Sequence, residues 1–164
     1  MEAGRWAKPG RFETGNMADL KKLYDDVIMD HIKHARNYGE MPEASAQADG
    51  VNALCGDNLT VYVKVEDDVV RSAGFKCECC GISMASASIM TELVAGKTID
   101  EARHMAADLL ESFTEEHPEH DAHYGRAAVL GIVREFPSRR NCASLAWVAL
   151  NAALDGEEQA VLGG

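Results

Sequence analysis

Hydrophobic residues first recur at three- and four-residue spacing after an opening stretch of sixteen residues without such a period. This spacing predicts an amphipathic helix that starts at Ala18 and ends before Gly39 and Pro42. Its apolar positions are Leu20, Leu23, Tyr24, Val27, Ile28 and Ile32. The preceding residues, 1–16, are rich in glycine and charge, so we expect a disordered extension, with Met17 as an alternative start. A polar loop is predicted from the helix end to about Gly50.

The pattern then changes to strict alternation, the period of a strand with one buried face. Its apolar positions are Leu59, Val61, Val63 and Val65. The acidic residues 66–68 predict a turn, and residues 69–75 predict the returning antiparallel strand. These two strands are the β part of the predicted fold.

Helical patterns dominate the remainder. Thr98 and Glu101 have the spacing of a capping box, which predicts the start of a helix that runs to about Phe113. The other predicted elements are a closely packed helix over 82–94 ending at Gly96, a loop over 114–123, a short helix over 125–133, a boundary at Pro137, a last helix over 142–154, and a frayed acidic tail over 156–164. We therefore predict an α+β fold over residues 17–155, a single domain with a small antiparallel β-sheet packed against several α-helices.

Composition narrows the class of protein. The chain has 164 residues, of which 46% are hydrophobic, which suits one domain with a sizeable core. Its net charge of −11 argues against nucleic acid or an anionic membrane as the main partner. No apolar run approaches the length of a membrane span, and no apolar stretch follows the basic N-terminus as in a secretory signal. We expect a cytoplasmic protein.

The five cysteines are an odd number without an export signal, which favours metal or thiol chemistry over a disulfide framework. Cys55, Asp57, Cys80 and Cys142 supply three thiols and a carboxylate, a donor set that suits zinc or iron better than calcium or magnesium. Gly56 permits the turn between the first two, and Cys80 precedes a predicted helix whose N-terminus stabilises a thiolate. Spacing alone leaves open whether they share a metal or are ordinary buried cysteines.

The same segments resemble the U-type iron–sulfur assembly proteins, and specifically their SufU-like branch. Residues 55–57 match the family's N-P-x-C-G-D, and residues 81–88 (GISMASAS) resemble its G-C-x-I-S-x-A-S-A-S. Residues 136–142 resemble F-P-x-R-x-K-C, and D-H with R-N at 30–37 resembles D-H-Y-x-x-P-R-N. The long step from Cys80 to Cys142 also suits the SufU-like branch, which carries an insertion here.

This resemblance implies a zinc-dependent sulfurtransferase of iron–sulfur cluster assembly. The family's zinc ligands map to Cys55, Asp57, Cys80 and Cys142. The partner it implies is a pyridoxal-phosphate-dependent, SufS-like cysteine desulfurase, which supplies a histidine to the zinc in place of Cys55. The freed Cys55 is then the acceptor of persulfide sulfur, which passes on to the downstream assembly machinery.

Two departures from the family bear on this interpretation. Cys77 and Cys79 stand where the family has glycines; either they add redox or metal capacity, with Cys77 and Cys80 as a nominal C-x-x-C, or they are tolerated small residues, which we favour. A register with Cys79 as ligand is the rival to Cys80. Asn141 stands where IscU-like scaffolds have histidine, and an amide is a poor ligand for iron. Together with a missing L-P-P-V-K chaperone segment, this favours a sulfur carrier over a scaffold for an Fe–S cluster, which is the alternative function.

Other candidates carry less weight. His117, His120 and His123 lie in an acidic segment that is more typical of a solvated loop than of a metal site. His31 is expected to cap a helix end. We hypothesise that Arg139 places a positive charge beside the thiols, where it contacts Asp57 or the partner enzyme. A purely structural zinc remains as a third possibility, in which no desulfurase is stimulated.

Overall fold

The computed structural model of this protein describes residues 17–115, 124, 130–131 and 133–162, with the backbone alone at 17–21, 23 and 24. The elements are α1 Met17–Lys33, β1 Ala46–Asn52, β2 Asp57–Glu66, β3 Val69–Glu78, α2 Gly81–Val94, α3 Ile99–Ser112, α4 Pro137–Leu154 and β4 Gln159–Leu162. The four strands form one sheet with the order β3-β2-β1-β4. The predicted N-terminal extension, the three histidines of 114–123 and most of the predicted helix over 125–133 lie outside the described residues.

Strands β2 and β3 form the predicted antiparallel hairpin, with Leu59 opposite Cys77 and Val61 opposite Phe75. Asp67 and Asp68 both adopt positive φ at its turn, the conformation that two-residue hairpin loops need. The capping box of Thr98 and Glu101 is present at the start of α3. The α+β architecture in a single domain is confirmed.

One face of the sheet and helices α2 and α4 enclose the core. Phe75, Ile89, Leu145 and Trp147 are completely buried there, and each such side chain stabilises the fold by about 1.5–3 kcal/mol. The Trp147 indole donates to the Ser86 hydroxyl, which donates in turn to the Ala143 carbonyl. These contacts fix α2 against α4, the two helices that carry site residues.

The sheet differs from the prediction at β1 and at β4. Residues 46–50, predicted as a polar loop, lie in β1, where α4 approaches so closely that a Cβ on Gly50 would be 3.1 Å from that of Ala149. Residues 159–162 were expected to fray but form β4, which runs parallel to β1. The sheet is therefore mixed rather than purely antiparallel.

Helix α4 also begins earlier than predicted, at Pro137, because proline suits the first turn, where its missing N–H is not needed.

None of the helices described has the length and apolar character needed to cross a bilayer.

Candidate metal centre

The loop between β1 and β2 presents Cys55 to solvent and starts Asp57 on β2. The Asn52 carbonyl accepts hydrogen bonds from the backbone N–H groups of Cys55 and Gly56, and the Asn52 side chain accepts from that of Leu54. Gly56 has a φ of 78°, which favours glycine. The result is an exposed thiol on Cys55 beside a carboxylate on Asp57 that is only 8% exposed.

Cys80 occupies the N-cap position of α2, as predicted, between the end of β3 and the first helical turn. Its thiol lies 3.5 Å from the hydroxyl oxygen of Ser83, one turn further along. That oxygen is also 3.0 Å from Oδ2 of Asp57 and 3.1 Å from the backbone carbonyl oxygen of Cys142. Ser83 therefore joins the three segments, a contact that the sequence interpretation missed; the only signal was a serine one turn after a cysteine.

Helix α4 brings Cys142 to the same place. One ligand atom from each of Cys55, Asp57 and Cys142 lies within 4.8 Å of the other two. Cys80 adjoins this trio, since its thiol shares hydrogen bonds with Asp57 and Cys142. Of the four residues named from the sequence, the structure thus places three within ligand distance of one another, with Cys80 adjoining them through Asp57 and Cys142.

The electrostatics of the metal-free cluster are set by burial and by hydrogen bonds. Burial raises the pKa of the Asp57 carboxyl, but hydrogen bonds from Ser83, Cys80 and Cys55 outweigh it and leave that pKa below its ordinary value. Burial, together with Cys80, Cys55 and Asp57, raises the pKa of Cys142 to about 12. Arg139 and Arg140 lie just before Cys142 in the sequence, which by itself predicts a lowered pKa for this thiol; the pKa is instead raised, because burial and the adjacent acidic groups prevail.

This donor set fits a zinc ion. Three thiol sulfurs and one carboxylate are ligands that zinc accepts in tetrahedral sites, and calcium and magnesium prefer oxygen alone. The four residues come from three segments of the chain, and two of them, the Asp57 carboxylate and the Cys142 thiol, are buried. A cation would compensate the charge that Asp57 and a deprotonated Cys142 place in this partly dry position.

The other two cysteines form a disulfide, Cys77–Cys79, whose Cα atoms are 5.5 Å apart. Cys79 is thereby occupied, whereas Cys80 is free, so the structure favours Cys80 over the rival register. The nominal C-x-x-C of Cys77 with Cys80 is not the pairing observed. The favoured interpretation of Cys77 and Cys79 as merely tolerated small residues does not account for their bond.

Two further candidates lie outside the cluster. His31 is buried, with its Nδ1 2.7 Å from the Ser88 hydroxyl oxygen, so it is a packed residue of the α1–α2 interface. Arg139 is exposed and lines a groove of about 490 Å³ with Ile32, Ile82 and Phe136. Gly81, which directly follows Cys80, also lines this groove. A contact of Arg139 with the partner enzyme therefore stays a prediction.

Comparison with known proteins gives consistent matches. The model of the NifU-like N terminal domain matches residues 23–143. The zinc-dependent sulfurtransferase SufU of Bacillus subtilis is 38% identical over 141 residues, which are 86% of this chain and 95% of that protein. The iron–sulfur cluster assembly scaffold protein IscU of Thermotoga maritima is 31% identical over 135 residues, 82% and 94% of the two chains. The solved structure of FiSufU from Fervidobacterium islandicum, described as an iron–sulfur cluster assembly scaffold protein for the SUF system, superimposes with a TM-score of 0.73 at 30% identity, covering 81% of this chain and 97% of that one.

Proposed function

The chain belongs to the NifU-like N-terminal domain family, and from that premise we propose that it is a zinc-dependent sulfurtransferase of iron–sulfur cluster assembly. The relative that is named as such a sulfurtransferase aligns over nearly its whole length. We propose Cys55, Asp57, Cys80 and Cys142 as the zinc ligands. When bound, zinc would hold the thiols deprotonated and protect them from oxidation.

One observation carries the role of Cys55: its thiol is exposed, whereas its neighbours Asp57 and Cys142 are buried. An exposed residue on a loop tip can turn toward a partner while the buried pair keeps its position. A persulfide on a partner enzyme would therefore meet Cys55 first. The Cys55 thiolate attacks the outer sulfur, a new S–S bond forms on Cys55, and the enzyme's cysteine leaves as a thiolate.

The partner we propose is a SufS-like cysteine desulfurase, and the sulfur passes on to the downstream iron–sulfur assembly machinery. We place the protein in the cytoplasm, because free thiols such as Cys55 and Cys80 persist where thiols are kept reduced.

Desulfurase turnover with and without this protein tests the proposal. Zinc-loaded wild type should increase the rate, and Cys55→Ala should abolish the increase. Ser72→Ala is the matched control, because Ser72 lies opposite Lys64 in the sheet and its hydroxyl contacts the Met41 sulfur at 4.0 Å, away from the cluster. No rate increase with zinc-loaded wild type would refute the sulfurtransferase function.

The alternative is a scaffold on which an iron–sulfur cluster is assembled, as the IscU relatives are named. Asn141, next to Cys142 on α4, offers an amide, which is a poor ligand for iron and speaks against this alternative. Metal content separates the two: about one zinc per chain in a colourless protein supports sulfur transfer. A brown protein with visible absorption after anaerobic purification supports the scaffold.

A further inference from the structure

The Cys77–Cys79 disulfide is a redox-active group that the metal centre does not use. Its two half-cystines flank Glu78, at the end of β3, and both are partly exposed. The pair therefore has access to solutes, and its second member directly precedes Cys80 in the chain. The disulfide is thus adjacent in the chain to Cys80, a residue of the candidate metal centre, without being part of the metal's donor set.

The strand register places this pair on the side of the sheet where the metal centre lies. Cys77 is opposite Leu59, which is buried, and Cys77 packs against the core cluster. Side chains two residues apart on a strand share a face, so Asp57 lies on the same face as Leu59. The last pair of the ladder is Asn58 with Glu78, so Asp57 and Cys79 are the next residues beyond that pair on the two segments.

Tyr38 contacts the backbone of Cys77 from the outer edge of the sheet. The Tyr38 hydroxyl donates to the Cys77 carbonyl at 3.1 Å and accepts from the Cys77 N–H at 3.4 Å. Tyr38 also packs edge-on against Phe75. Cys77 is thereby fixed through its backbone, which leaves Cys79, beyond the strand end, as the cysteine free to approach the centre.

We propose that the reduced Cys77–Cys79 dithiol takes the sulfane sulfur from the persulfide on Cys55 and releases it as sulfide. This inference rests on the proposed function, which supplies that persulfide. It assigns to the protein an activity beyond carrying sulfur: intramolecular reduction of its own cargo. The disulfide state is then the product of one such turnover.

The reaction balances in two exchange steps. The Cys79 thiolate attacks the outer sulfur of the Cys55 persulfide, which forms a persulfide on Cys79 and expels the Cys55 thiolate. The Cys77 thiolate then attacks the inner sulfur on Cys79, closes the disulfide and expels hydrosulfide. The sulfane sulfur gains two electrons, which the two thiols lose. An external dithiol reductant restores the pair by thiol–disulfide exchange.

Anaerobic single-turnover measurement tests this proposal without a desulfurase. The purified protein is first treated with a reductant, then freed of it and given one equivalent of glutathione persulfide. The sulfide released and the alkylatable thiols that remain are then counted. Wild type should release about one sulfide per chain and lose two thiols, with the Cys77–Cys79 disulfide identified by mass spectrometry. The double variant Cys77→Ser/Cys79→Ser should hold the persulfide and release less than about a tenth as much.

The controls give every outcome a meaning. Wild type with the disulfide already closed should release no sulfide, and this needs no substitution that might unfold the chain. Glu78→Gln, between the two cysteines, should behave as wild type. Equal sulfide from the double variant or from oxidised wild type would overturn the proposal. So would undiminished release by Cys55→Ala, because Cys55 would then not deliver the sulfur. A failure of desulfurase stimulation alone would leave this result unaffected, since the persulfide is supplied chemically.

Discussion

The Ser83 hydroxyl oxygen lies 3.0 Å from Oδ2 of Asp57, so the first turn of α2 holds a carboxylate at the start of β2. The same oxygen is near the Cys142 carbonyl and the Cys80 thiol. One small side chain therefore sets the relative position of all three segments. Because a hydroxyl has a single proton, it donates to Asp57 or to the Cys142 carbonyl at any moment.

Ser83→Ala should weaken zinc binding about tenfold or more, since residues that orient ligands contribute that much to metal affinity. The Ser83 hydrogen bond lowers the pKa of Asp57. Its loss raises that pKa, so protons compete better for the carboxylate and zinc is released at a higher pH during acidification. A chelator titration at several pH values measures this, with Ser72→Ala as control. Equal release midpoints would show that Ser83 does not position Asp57.

Cys142 should make the metal-free protein sensitive to alkali. Its pKa is raised from 9.0 to about 12 in the fold, so the unfolded chain loses this proton more readily than the folded one. The stabilising effect is complete below pH 9 and is lost as the pH rises toward 12. Denaturant unfolding with a chelator should show a steeper loss of stability over this range in wild type than in Cys142→Ala. Parallel curves would contradict the raised pKa.

Zinc uptake should release the Cys142 proton, because the buried thiol is protonated at neutral pH and the ligand is the thiolate. Calorimetry in buffers of different ionisation enthalpy counts the protons released. Cys142→Ala should release about one fewer than wild type. An unchanged count would mean that Cys142 is not a ligand.

His31→Ala should destabilise the fold without affecting the chemistry. The His31 ring is 3% exposed and shares the Ser88 hydroxyl with the Arg36 backbone N–H. Removing it leaves a cavity and a less satisfied hydroxyl, with an expected cost of about 2–4 kcal/mol in unfolding free energy. Desulfurase stimulation per folded molecule should stay at the wild-type value. A specific loss of stimulation in a fully folded variant would give His31 a functional role.

Arg139→Ala should reduce desulfurase stimulation without altering zinc content. Arg139 is exposed at the groove that also contains Phe136, which is 53% exposed. An exposed cation beside an apolar surface is typical of a partner-binding face. Stimulation is compared at equal zinc occupancy and two salt concentrations, with Lys97→Ala as a distant control. Unchanged stimulation would end the hypothesis.

The sequence was most informative where one apolar residue type repeats with a clear period. The β2–β3 hairpin was predicted from alternating valines, and α3 from its capping box, because these signals are local. Strand β1 escaped prediction because α4 approaches it too closely for large side chains, so its inward positions are Ala48, Gly50 and Asn52. Small residues carry little periodic signal although they are buried.

The candidate site shows the same division. Cys55, Asp57, Cys80 and Cys142 were named through motif resemblance, and three of them have ligand atoms within 4.8 Å of one another. The Cys77–Cys79 bond was not predicted, since spacing does not reveal which of three neighbouring cysteines pair. Burial is the main cause of the raised pKa of Cys142. Burial depends on tertiary packing, which cannot be inferred from the arginines beside Cys142 in the sequence.

The hydrogen bond from Ser83 to the Cys142 carbonyl joins residues 59 positions apart, in helices α2 and α4. Contacts so distant in sequence are slow to form, because a long loop must be closed first. A nascent chain that has exposed β1, β2, β3 and α2 still lacks Cys142, so it has only part of the donor set. Full metal affinity therefore arises only after α4 has been synthesised and docked, which makes a tightly held ion a marker of a finished molecule.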